Sequence, residues 1–153
     1  RGEDGNVSIW GFNSRLDNLQ AAILNFFFED YDKTVKRRRY IADLYHKGLK
    51  DIDELTLPPA TNSNNNHFDI YQNYEIEAER RDKLKSFLSD NGIGTLIRWG
   101  GKAVHEFKDL GFTQSLPITE KIMRDSLMLP LNMTVTDVEI RYICKCVRSF
   151  YND

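Results

Sequence analysis

Gly11-Phe12-Asn13-Ser14-Arg15-Leu16-Asp17-Asn18-Leu19-Gln20-Ala21-Ala22-Ile23-Leu24 opens the longest helical pattern in this chain. Ser14 is an N-cap candidate, and Asp17 follows three residues later, as in a capping box with Asp in place of Glu. Leu16, Leu19, Ile23, Phe26 and Phe27 recur at three- and four-residue spacing and form one apolar stripe. Beyond Asp30 the pattern resumes through Val35, Ile41, Leu44 and Tyr45 and stops near Gly48, so residues 14–50 make two helices or one bent one. Phe26, Phe27 and Phe28 in succession cover more than half of a helix's circumference, which requires cover on more than one side. Two arrangements supply it: a central core helix, or a helix pressed between its own domain and a partner surface.

Downstream, Pro58-Pro59 and the polar run Thr61-Asn62-Ser63-Asn64-Asn65-Asn66 punctuate the chain. Phe68, Ile70, Tyr74 and Ile76 alternate with polar residues, which predicts a strand. Arg80 to Asn91 reads as an amphipathic helix with Leu84, Phe87 and Leu88 inward, stopped by Asn91-Gly92. Thr95, Leu96, Ile97 and Trp99 suggest a second strand running into Gly100-Gly101, where the backbone can turn sharply. Short helices are expected near residues 103–110 and 117–125, then a third strand at Leu127-Met128-Leu129. The last helix is the clearest: Thr136 and Glu139 form a capping box, and Ile140, Ile143, Cys144, Val147 and Phe150 share a face. On that reading Cys144 is a core residue and Cys146 lies away from it. The whole is an α/β arrangement, a small sheet packed against helices and led by a long helix.

With 41% apolar and 29% charged residues in 153, the chain is globular rather than disordered, and long enough for a real core. Its net charge of −2 excludes the basic footprint of a nucleic-acid binder. The one basic cluster, Lys36 to Arg39, reads as a solvated helical face near Asp30 and Asp32. Cys144 and Cys146 sit two apart on a helix, where they cannot meet; free thiols suit a reducing cytoplasm. No apolar run is long enough to span a membrane. Arg1 followed by the loop-like Gly2 to Asn6 reads as the middle of a longer protein.

Local motifs assemble no active site: G-x-G-x-x-G, the Walker loop, H-E-x-x-H and G-x-S-x-G are all absent. His46, His67 and His105 match no metal spacing, so no metal is expected.

The Gly11–Leu24 stretch resembles the G-x-N-x-R-L-D-x-L-Q-A-A signature of the DegT/DnrJ/StrS family of sugar aminotransferases. Further matches keep that family's order: Arg37-Arg38-Arg39 with Tyr40 and Ala42, Tyr74-Glu75-Ile76 before Arg81-Asp82, Gly92-Ile93-Gly94-Thr95, and Leu127-Met128-Leu129-Pro130-Leu131 with Thr136-Asp137. The resemblance implies the small C-terminal α/β domain of an aspartate-aminotransferase-like, fold-type-I enzyme. Residues 1–13 would be a linker from a large domain, 14–50 a helical segment bridging domains, and 51–153 the small domain.

It further implies a cytoplasmic homodimer that uses pyridoxal 5'-phosphate to move an amino group from glutamate to a nucleotide-linked keto-deoxysugar. The lysine that binds the cofactor covalently would lie upstream, so no catalytic residue is expected in this chain, which alone would be inactive. Asn13 matches a residue that reaches the cofactor phosphate of the other subunit, and Arg15 a position near the same site. Trp99, Lys102 and His105 fall where relatives approach the substrate; Ile97-Arg98-Trp99-Gly100-Gly101 departs from the usual histidine-tyrosine-proline-like pattern, and His105 keeps the later histidine. Alternatives of the same fold are a sugar dehydratase and a non-catalytic interaction domain.

Overall fold

The computed structural model describes residues 17–61 and 68–152, and its centre is a strand whose residues alternate. In β2 (Tyr74–Ala78) Tyr74, Ile76 and Ala78 are buried while Glu75 and Glu77 are only half covered, the pattern of a strand with two unlike faces. β2 is the middle of three antiparallel strands. β1 (Leu55–Thr56) lies on one side, with Leu55 opposite Ala78. β3 (Ser126–Leu129) lies on the other, with Tyr74 opposite Leu129 and Ile76 opposite Leu127.

The helices are α1 (Asn18–Phe28), α2 (Tyr31–Leu49), α3 (Arg81–Asp90), α4 (Pro117–Asp125) and α5 (Asp137–Asn152). α2, α3 and α5 close the apolar face of the sheet. Ile41, Tyr45 and Leu49 of α2, Leu84 and Leu88 of α3, and Ile140, Ile143 and Val147 of α5 join Tyr74, Ile76 and Leu127 in one core. The Tyr45 and Tyr74 rings stack with centroids 4.8 Å apart, and the Tyr45 hydroxyl donates to the Pro130 carbonyl at 2.7 Å. Where α2 crosses α5 the helices need Gly48, because a Cβ there would lie 2.6 Å from the Cys144 sulfur. α4 belongs to the other face of the sheet, tied to it by Lys121 on Glu77 at 3.2 Å.

Local rules place most of these elements. The α5 capping box forms as read: Thr136 N–H donates to the Glu139 carboxylate at 2.7 Å, and Glu139 N–H to the Thr136 hydroxyl at 3.3 Å. Gly92, at φ 74°, ends α3 in the left-handed conformation open to glycine.

Other readings meet the structure less simply. Of the two arrangements read for residues 14–50, the described residues show two helices, broken at Glu29 and Asp30; the cap differs, since α1 is capped by Asp17, whose carboxylate accepts from Gln20 N–H at 2.8 Å, and Ser14 lies outside the described residues. Of the two arrangements open for the Phe26–Phe28 helix, burial in a core is not formed by the described residues, since none of α1 is buried. The expected strand from Phe68 starts only at Tyr74, because the Asp69 side chain caps Tyr71 N–H at 2.7 Å and Tyr71 turns to φ 49°. The strand expected at 95–99 shrinks to one bridge, Leu96 with Met128, and the helix expected at 103–110 is two short 3-10 turns, Val104–Glu106 and Lys108–Leu110. Cys146 is buried like Cys144, because α5 is covered by α2 on one side and α3 on the other; both thiols are free.

The basic cluster is also used differently from a solvated face. Arg37 pairs with Asp137 at 2.6 Å and donates to the Val135 carbonyl at 2.7 Å. Arg38 donates to the Gln72 carbonyl at 3.2 Å, and Arg39 to those of Asp69 and Thr61 at 2.6 and 2.5 Å. Each guanidinium fastens a different segment to α2, and only Lys36 stays fully exposed.

Candidate functional site

The candidate site grows from the chain that leaves the Leu96 bridge. There the backbone exchanges two hydrogen bonds with Met128 of β3, at 3.2 and 2.9 Å. Arg98 then turns back over the polar face of β2 and pairs with Glu75 at 3.0 Å. From this anchor the chain winds through a single tight turn, Arg98–Gly101, with Trp99, Gly100 and Gly101 at φ 55°, 69° and 76°. Two of the three are glycines, which adopt that conformation freely. Trp99 is not, and the left-handed region costs an L residue roughly 1–2 kcal/mol.

The strain persists because both ends of the turn are held. Beyond it, Ala103 is buried and its N–H donates to the Glu106 carboxylate at 2.6 Å. Under it lies Arg81, almost wholly covered, whose guanidinium donates to the Ser126 carbonyl at 3.0 Å. A Cβ on Gly101 would stand 3.3 Å from that guanidinium and 3.4 Å from the Met123 carbonyl oxygen, so the turn sits directly on the end of α4. The result is an indole 60% exposed, with Lys102 exposed just after it. A groove of about 410 Å³ runs from Arg98 and Glu75 to Pro58, Ile122 and Met123.

His105 faces the other way. Its side chain is only 8% exposed, and Nε2 lies 3.1 Å from a carboxylate oxygen of Glu120 in the first turn of α4. That oxygen also accepts from Leu116 N–H at 2.8 Å and from the Ser115 hydroxyl at 3.4 Å. The Leu116 amide and then the imidazole hold the Glu120 carboxyl below its ordinary value. The Glu120–His105 contact fastens the 104–106 turn to α4.

The structure therefore brings Trp99 and Lys102 together on the outside of one turn and turns His105 inward as a fastener of the next. Asn13 and Arg15 lie outside the described residues. Two contributors were missed in the sequence. Glu120 had a signal in Ser115-Leu116-Pro117-Ile118-Thr119-Glu120, where a carboxylate in the first turn of a Pro-initiated helix can reach back. Arg81 had none as a support for the turn, since the Met123 and Ser126 carbonyls it reaches lie more than forty residues away. Chemically, an exposed aromatic face next to an ammonium can stack on a flat or apolar ring and meet a phosphate.

The chain as a whole is similar to known proteins. Over 148 residues the chain is 31% identical to the pleiotropic regulatory protein of Geobacillus stearothermophilus, covering 94% of this chain and 39% of that protein. Over 145 residues it is 28% identical to the dTDP-3-amino-3,6-dideoxy-alpha-D-galactopyranose transaminase of Aneurinibacillus thermoaerophilus, covering 92% and 38%. Its fold superposes on that of S. venezuelae DesV with a TM-score of 0.80 at 28% identity, covering 94% of this chain and 38% of that one. The chain thus spans under two-fifths of the length of these relatives. Residues 2–148 match the pattern of a single family, and the chain belongs to it: the DegT/DnrJ/EryC1/StrS aminotransferases.

Proposed function

We propose that the complete protein is a pyridoxal-phosphate-dependent transaminase that moves an amino group from glutamate to a keto-deoxysugar carried on a nucleotide. The observation that carries this reading is the family match across residues 2–148, which runs through both the Asn13–Arg15 donor pair and the Trp99–Lys102 turn. The names of the transaminase relatives, which act on dTDP-linked amino sugars, support the substrate class.

The donor set fits the cofactor. Asn13 offers an amide N–H and Arg15 a planar guanidinium, both suited to phosphate oxygens. In the proposed dimer Asn13 of one copy would hold the phosphate bound by the other, and no lysine of this chain is assigned to the cofactor. When bound, pyridoxal phosphate supplies an electron sink. This chain's own part is orientation. Trp99 lies against the sugar nucleotide, Lys102 neutralises its diphosphate, and His105, fastened by Glu120, holds the second turn where it borders the substrate. Buried free thiols at Cys144 and Cys146 support a reducing, cytoplasmic setting.

Visible absorbance of the intact protein titrated with pyridoxal phosphate tests the reading. A cofactor band that disappears on substitution of one lysine upstream of the matched Gly11–Leu24 stretch is the expected result; no uptake at all contradicts it. The 153-residue chain alone, given glutamate, cofactor and a dTDP-linked keto sugar, is expected to turn over no faster than the protein-free control.

A further inference from the structure

Among the described residues only Tyr71, Arg80 and Trp99 hold a non-glycine backbone at positive φ, and two of these three meet at Arg81. Arg80, at φ 56°, precedes α3 in the left-handed conformation and lays its own guanidinium over Phe150 and Tyr151, 4.7 and 5.3 Å from the ring centroids. The next side chain, Arg81, goes beneath the turn that carries Trp99 and is only 9% exposed.

The Arg81 fork joins segments far apart in the sequence. One Nη donates to the Ser126 carbonyl at 3.0 Å, where β3 begins, and lies 3.5 Å from the Met123 carbonyl in the last turn of α4. The end of a helix, where carbonyls are left over, is a favourable place for a cation. The other Nη stands where a Cβ on Gly101 would come within 3.3 Å, so the 98–101 turn is seated on the guanidinium itself. The Asp82 carboxylate, 2.7 Å from Nε, is 81% exposed and off the line of its N–H, so carbonyls and not a buried counter-ion aim the fork. A left-handed tryptophan persists only where its surroundings over-determine it. Arg98 on Glu75 holds one end of the turn, and Arg81 is its floor. From these contacts we infer that Arg81 is a positioning residue: through Gly101 its fork fixes the 98–101 turn and with it the stand of the Trp99 indole. Lysine cannot replace it, because a single point of charge does not meet two carbonyls and a glycine in one plane. That the positioned indole serves a nucleotide-linked sugar rests on the proposed function; the positioning rests on the buried contacts alone.

The test labels the intact protein with fluorotryptophan and follows the fluorine resonance that Trp99→Phe removes. Arg81→Lys, and Gly101→Ala from the other side of the contact, are expected to shift or split that resonance. Leu84→Ala, which empties a fully buried site on the same helix, is expected to leave it in place. A resonance unmoved by both variants, or moved as far by Leu84→Ala, overturns the inference; where Arg81→Lys does not fold, Gly101→Ala decides alone. The second readout is the binding of dTDP, UDP and GDP. The nucleotide that the unsubstituted protein holds is expected to bind about tenfold more weakly after Arg81→Lys or Trp99→Ala, with no further loss when the two are combined. Additive losses contradict the positioning. A moved resonance with nucleotide binding unchanged upholds it and refutes only the substrate-facing reading of the turn.

Discussion

α1 and α5 are both capped, apolar-rich helices, and they do opposite things. In α5 the apolar residues segregate to the faces that meet α2 and α3, and Ile140, Ile143, Cys144, Cys146 and Val147 are buried. In α1 they spread around the helix, and among the described residues none of them is buried. An apolar helix must find cover, but its own sequence does not say whose. The contrast divides the described residues at Glu29 and Asp30 into a body that buries its own apolar residues and a helix that does not.

The sharpest way to break that division is truncation at matched sites. Ile140→Ala removes a fully buried side chain and is expected to cost about 2–5 kcal/mol in urea unfolding, whereas Phe27→Ala, larger in atoms removed, is expected to leave the unfolding of the monomer within about 0.5 kcal/mol. Equal losses at both positions would place α1 in the core. Next in size is Gly48→Ala. Helix propensity favours alanine by about 1 kcal/mol, yet the 2.6 Å approach to the Cys144 sulfur predicts a net loss of about 1–3 kcal/mol. The added substitution Cys144→Ala should recover most of it; failure to do so would mean that the contact between α2 and α5 is looser than it is drawn.

Caps give a smaller version of the same comparison. Thr136→Ala should lower the stability of the body by about 1 kcal/mol, while Asp17→Ala should leave that transition unmoved. The smallest effect is the acid dependence. Arg37 first of all lowers the Asp137 carboxyl below 3.8, and the Thr136 amide that of Glu139 below 4.5. Lowered carboxyls stabilise the fold fully above those ordinary values and lose the contribution as pH falls through the lowered ones. Arg37→Ala should therefore flatten the acid limb of the stability curve; α1, with no titrating side chain, should contribute nothing to it.

Short-range chemistry was legible in the sequence and long-range partnership was not. The Thr136–Glu139 cap, the α3 stop at Gly92 and the alternation of β2 all rest on neighbours within a few residues, and each stands in the structure. Arg37 to Arg39 looked solvated because their acceptors at Asp137, Gln72 and Asp69 are thirty to a hundred positions away. The strand expected at 95–99 failed for a related reason: apolar residues satisfied the pattern, but Trp99 and two glycines took the chain out of the sheet into the left-handed turn. At the site, resemblance singled out Trp99, Lys102 and His105, while only coordinates could show that Glu120 turns His105 inward and that Arg81 supports the turn.

The most direct test of the functional account is the affinity of the intact protein for pyridoxal phosphate after Asn13→Ala. A charge-assisted hydrogen bond to the phosphate predicts binding weakened by about 10- to 100-fold, with the unfolding of the 31–152 body unchanged. Affinity equal to that of the unsubstituted protein would contradict it.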